Sequence, residues 1–134
     1  MSQENVEIVR RVYAEWQRGN LAAAVELFDP EIVFESFMPD SRERIVTRGL
    51  QEIETFMRGV LVQTSEYRLI GEDFRDASED TVFVVGRQAT VGRLSGVAVE
   101  GPAFWVWTFR DGKVARLVFE TDQGRALDAA GLSE

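Results

Sequence analysis

Apolar residues near the start of the chain recur at three- and four-residue spacing. Val6, Val9, Val12 with Tyr13, and Trp16 make one stripe along a helix, so one face of that helix is meant for a core. Ser2 stands where a cap belongs, Glu4 and Glu7 suit the positive N-terminal end, and Gly19 is placed to end the helix in a left-handed turn. Asn20 is the expected cap of a second helix carrying Leu21, Ala24, Val25 and Phe28. That helix must stop at Asp29-Pro30, because a residue before proline is driven out of the helical region. The period then changes to two over residues 32–37, with Ile32 and Phe34 on one face and Val33, Glu35 and Phe37 on the other. Residues 38–48, with Pro39, Asp40, Ser41 and alternating charges, read as a long loop of the kind that often serves as a lid. Helical spacing returns over residues 49–61 through Leu50, Ile53, Phe56 with Met57, and Val60 with Leu61.

The rest of the chain is strand-rich. Strands are expected at about 66–75, 81–92, 97–109 and 113–121, divided by turn chemistry at Ser78-Glu79-Asp80, Leu94-Ser95-Gly96 and Asp111-Gly112. The last of these is the clearest hairpin signal. Strands this long must twist and curl, so helices packed on one side would sit in a concavity. A final helix is expected over residues 123–130. The order helix, helix, strand, helix, then four strands describes one α+β unit with no internal repeat.

Composition narrows the field. The 134 residues suit a single domain, and 45% hydrophobic with 28% charged residues is globular composition, so a packed core should exist. No run of eighteen apolar residues appears and the N-terminus is polar and acidic, which predicts a cytoplasmic protein that does not span a membrane. A net charge of -8 repels phosphate backbones and anionic lipid, which argues against nucleic-acid and membrane partners. The chain has no cysteine and no histidine, and Lys113 is its one lysine. Disulfides, thiolate chemistry and imidazole acid–base work are thereby excluded, and the common metal sites lose their nitrogen and sulfur ligands. Any general acid or base must be Asp, Glu or Tyr. There is neither a G-x-S-x-G nucleophile elbow nor a phosphate-binding glycine loop, and no cofactor is expected.

The opening Glu4-Asn5-Val6-Glu7-Ile8-Val9-Arg10-Arg11-Val12-Tyr13, the Arg18-Gly19-Asn20 turn and the Leu27-Phe28-Asp29-Pro30-Glu31 segment resemble SnoaL-like proteins of the nuclear transport factor 2-like superfamily. So do Arg48-Gly49-Leu50, the stretch Trp107-Thr108-Phe109-Arg110-Asp111-Gly112-Lys113-Val114, and the ending Ala126-Leu127-Asp128-Ala129-Ala130-Gly131-Leu132. The resemblance covers the whole chain. It implies a cone: a strongly curved, mostly antiparallel sheet wrapped around N-terminal helices, a pocket at the wide end, and a homodimer packed through sheet faces. It implies no single chemistry, because members include isomerases, dehydratases, cyclases, epoxide hydrolases and pure binding domains.

The family's best-known mechanisms do not carry over. In the ketosteroid isomerase pattern, a worked example of tuned carboxylates, the oxyanion tyrosine falls on Val12, the base on Ser36 and the protonated acid on Trp105. The epoxide-hydrolase pattern lacks its second carboxylate, since residues 81–92 hold Arg87 but no acid. The histidine that many SnoaL-like sequences carry falls on Trp105. What the resemblance leaves is Asp122, where SnoaL-like cyclases are expected to carry an acid/base aspartate. The same residue is equally well placed to cap the final helix.

Three other features have paired readings. Glu35 is an outward, solvated side chain or a pocket acid. Arg87 shares a strand face with Phe83, Val85 and Ala89, which requires either an ion pair, with Glu120 or Asp122, or a ligand. Trp105, Trp107 and Phe109 form one face by alternation and serve a core, a dimer contact or a pocket wall. The expectation is an apolar pocket for a small neutral or aromatic organic molecule, bounded by Tyr13, Trp16, Phe34, Phe56, Arg87 and Trp105. Asp122 is the candidate acid or base for cofactor-independent proton transfer, and a non-catalytic binding or dimerisation module is the alternative.

Overall fold

The computed structural model describes residues 2–37 and 44–132. Helix α1 (Ser2–Gln17) begins at the serine expected to precede it and buries Val6, Val9, Val12 and Tyr13. Gly19, at φ 90°, ends it as predicted, with the Asn20 amide donating back to the Glu15 carbonyl at 3.0 Å. The second helix is a 3-10 segment, Leu21–Leu27, rather than an α-helix. Asn20 does not cap it through its side chain, which instead donates to the Glu15 carboxylate at 3.2 Å. With extended backbone forced just before Pro30 there is room only for a short, tight coil.

Strand β1 (Phe28–Phe37) therefore starts earlier than residue 32. Part of the expected loop is also a strand, β2 (Arg44–Arg48), antiparallel to β1 from Val33 to Phe37. Its arginines suit a sheet edge, where charge discourages further pairing, and they hid the β-branched Ile45, Val46 and Thr47 in the reading of the sequence. The remainder of that expected loop, residues 38–43, lies outside the described residues.

Helix α2 (Gly49–Gln63) opens with the Glu52 carboxylate, four residues along, accepting from the amide of the N-cap Arg48 at 2.9 Å, which suits the positive N-terminal end. Strands β3 (Thr64–Ser78), β4 (Thr81–Gly92), β5 (Ala98–Arg110) and β6 (Lys113–Glu120) follow, then α3 (Gln123–Ala130). The β5–β6 turn is the expected Asp-Gly hairpin, with Asp111 at φ 53° and Gly112 at φ 78°.

The six strands form one curved, unclosed sheet in the order β2-β1-β6-β5-β4-β3, antiparallel except for β1 beside β6. The bend has a local cause. Gly71 and Gly86 face each other on β3 and β4 beside a register shift between Gly71 and Asp73. A Cβ on Gly86 would overlap the Ile70 carbonyl, and one on Gly71 would meet the rings of Tyr13 and Phe74. The main core fills the concave side, between α1, the 3-10 segment, α2 and inward residues such as Val82, Val84, Trp107 and Val114. A smaller cluster on the outer face packs Phe83, Phe104, Val106 and Val118 under Ala126 of α3.

One residue fastens the open end. The Arg93 amide donates to Gln63 O (2.9 Å), and its guanidinium donates to the carbonyls of Val62 (3.0 Å), Leu61 (3.3 Å) and Thr64 (2.8 Å). These carbonyls end α2 and have no partner within the helix. No helix among the described residues is long and apolar enough to cross a membrane.

Candidate functional site

Strand alternation sends Ile32, Phe34 and Ser36 of β1 and Leu117 and Phe119 of β6 inward, while α2 presents Ile53, Phe56, Met57 and Val60 from across the concavity. Trp16 and the 3-10 residues Ala24 and Val25 close one side, and Trp105 stands against Phe119 with ring centroids 5.5 Å apart. These walls do not meet. Between them lies a cavity of about 280 Å³. Val99, which lines it, is 46% exposed, so the cavity reaches the surface where the β4–β5 hairpin nears the end of α2.

Four of the residues expected to bound a pocket are in its wall: Trp16, Phe34, Phe56 and Trp105, with the Phe34 and Phe56 rings 5.7 Å apart. Tyr13 is one layer deeper. It packs edge-on to Trp105 at 5.2 Å and its hydroxyl accepts from Trp107 Nε1 at 3.1 Å. Burial raises its pKa well above the usual phenol value. Trp107 and Phe109, the rest of the aromatic stripe, are core residues.

Arg87 does not join them. It is exposed on the opposite face of β4, paired with Glu100 of β5 and not with Glu120 or Asp122. Its apolar neighbours Phe83 and Val85 belong to the outer cluster, which is why the strand face looked like a pocket wall. Asp122 is exposed too, and is not in the cavity wall. Its carboxylate accepts the Arg125 amide at 2.9 Å and caps α3, the structural alternative weighed for it.

Glu35 points outward, as one of its readings held, but it is buried rather than solvated. Arg116 Nε lies 2.8 Å and Arg44 Nη1 3.1 Å from its carboxylate. Nearby, the buried Glu120 accepts from Arg125 at 3.0 Å, and together these residues line a charged cleft under α3.

The polar residues of the cavity are uncharged: Ser36, Tyr67, Gln88, Thr90 and the indole N–H of Trp16. No Asp, Glu, Lys or Arg among the described residues lines it. Tyr67 is held neutral, its pKa pushed up to about 12 by burial. Ser36, Gln88 and Thr90 were not named as pocket residues from the sequence. Alternation with Glu35 and Arg87 would have placed all three on the inner face, had the outer face been known.

A curved sheet holding an uncharged cavity against helices defines an α+β cone with an internal apolar pocket. Residues 9–117 match the model of the SnoaL-like domain, and the chain belongs to that family. Among solved structures, a nuclear transport factor 2-like protein from Burkholderia thailandensis is 26% identical, with 95% of each chain covered and a TM-score of 0.76. A protein from a soil-derived mobile gene cassette is 22% identical over 96% of each chain, with a TM-score of 0.77. Another nuclear transport factor 2-like protein, from Burkholderia pseudomallei and described as of unknown function, is 21% identical over 92% of this chain and 95% of its own, with a TM-score of 0.75. At such identities the likeness is one of fold. Among curated protein sequences none matches the chain.

Proposed function

We propose that this protein binds a small, neutral, mostly apolar organic molecule inside the cone, and that its cavity serves binding rather than proton-transfer turnover. The observation that carries this reading is the lining: aromatic and aliphatic walls with a few uncharged polar groups, and no side chain among the described residues that changes charge near neutral pH. Such a surface gains from apolar contact and has nothing with which to move a proton at a useful rate. A cavity of about 280 Å³ is roughly twice the ~150 Å³ space that takes up benzene in an engineered core, so the fitting occupant has one or two rings. Asp122, the acid that catalysis would need, is committed to α3.

The test is calorimetric titration with two-ring neutral probes such as 2-ethylnaphthalene across about pH 6 to 9. Binding with one affinity throughout supports the reading. No binding, or binding only to a pocket rebuilt by Phe56→Trp or Trp105→Phe, overturns it. The homodimer expected through sheet faces is tested by sedimentation at graded concentrations.

A further inference from the structure

Two polar atoms of cavity-lining residues have no hydrogen-bond partner among the described residues. Ser36 is 4% exposed, its side chain lies on the cavity face of β1, and its Oγ makes no hydrogen bond. The Nε1 of Trp16, on α1, is buried and also without a partner among the described residues. Each such group carries a desolvation cost in the folded state that a ligand atom would relieve. The two differ in what they accept. An indole N–H only donates, so it calls for an acceptor, while the serine hydroxyl either donates or accepts.

The contrast with Trp107 makes these atoms informative. Trp107 also buries its Nε1, but Tyr13 satisfies it at 3.1 Å. The protein therefore completes the indole of its core, while the indole and the hydroxyl that belong to cavity-lining residues lack a partner among the described residues. With no charged side chain in the described lining, an ionised ligand would be stripped of water without compensation.

We infer that Ser36 and Trp16 are the specificity-determining residues of the cavity, selecting a one- or two-ring molecule that carries an uncharged carbonyl or hydroxyl oxygen and rejecting carboxylates. This rests on the cavity being a binding site. The two groups offer polar anchors for an oxygen, and Phe34, Phe56 and Trp105 hold the apolar frame, so removing an anchor costs oxygen recognition beyond any change in the affinity for hydrocarbon.

Three probes of nearly equal size test it by calorimetry: 2-acetylnaphthalene, 2-ethylnaphthalene and 2-naphthoate. The ketone is expected to bind at least about fivefold tighter than the hydrocarbon, as one net hydrogen bond implies, and the carboxylate more weakly than either. In Ser36→Ala, which keeps the shape of the wall, the ketone preference should fall toward one while 2-ethylnaphthalene stays within about twofold; in Trp16→Phe, which also widens the wall, the ratio of ketone to hydrocarbon affinity should fall toward one whatever loss the two probes share. Equal binding of ketone and hydrocarbon to the unaltered protein overturns the anchors and leaves the pocket standing. So does a preference unchanged in both variants, or naphthoate binding as well as the ketone. Failure of every neutral probe overturns the pocket, and the anchors with it.

Discussion

The sheet carries a hollow on each face, and the two are nearly equal in volume, about 280 Å³ inside and about 290 Å³ outside. Their chemistry is opposite. The inner hollow is walled by aromatic and aliphatic side chains with neutral polar atoms; the outer one is built from Glu35, Arg44, Arg116, Glu120, Arg125 and Asp128. Adjacent residues of one strand serve both, since Ser36 faces the cavity and Glu35 faces the arginines. Strand alternation thus does the sorting, placing ions where partners and solvent compensate them and keeping the enclosed side neutral. Size alone would not distinguish a site for an organic ligand from an ion-pair cleft; the partners of each polar atom do.

Breaking the inner face should cost most. Trp107→Ala removes a fully buried ring and strands the Tyr13 hydroxyl, so urea unfolding should show a loss of about 3–5 kcal/mol. The alkaline limb of stability comes next and also belongs to this side. Both tyrosines favour the neutral form when folded, with Tyr67 ionising only near pH 12, while an unfolded chain releases those protons near pH 10. The Tyr67 contribution is fully present below pH 10 and is lost as pH rises toward 12, by about 1 kcal/mol over the first unit, and Tyr13 acts in the same direction. Absorbance at 295 nm should then show both phenols ionising together with unfolding rather than before it.

The outer face should yield less. Glu35→Gln removes one ion-pair partner from arginine side chains that are 38% and 54% exposed and already reach water, so the loss should be about 1 kcal/mol and should shrink in molar salt. Equal losses at Glu35 and Trp107 would erase the distinction between the two hollows. The smallest effects concern Asp122. Replacement by Ala should cost about 1 kcal/mol and by Asn a few tenths, with probe affinity unchanged in both. A drop in affinity in either variant would return this residue to the ligand.

The cone, its hairpins and four wall residues were legible because period and turn chemistry report local geometry directly. Trp16 follows from the helical stripe, and Phe34 and Trp105 from alternation. What stayed hidden depends on knowing which face is inside. At Val82, Phe83 and Val84 three successive residues are buried, because α3 covers the outer face while α1 fills the inner one. Apolar neighbours around Arg87 therefore said nothing about a pocket. Tyr13 was placed on the correct stripe but lies a layer too deep. Asp122 stands where a strand end becomes a helix start, and only its bond to the Arg125 amide separates the two roles.

Arg93 gives the entrance a mechanical character. Because one residue grips the end of α2 through four hydrogen bonds from the β4–β5 turn, the two jambs of the doorway near Val60 and Val99 are tied to each other. Widening the gap between them therefore requires those bonds to break. The helix end and the hairpin are thus expected to fray together and not as two independent exposed segments.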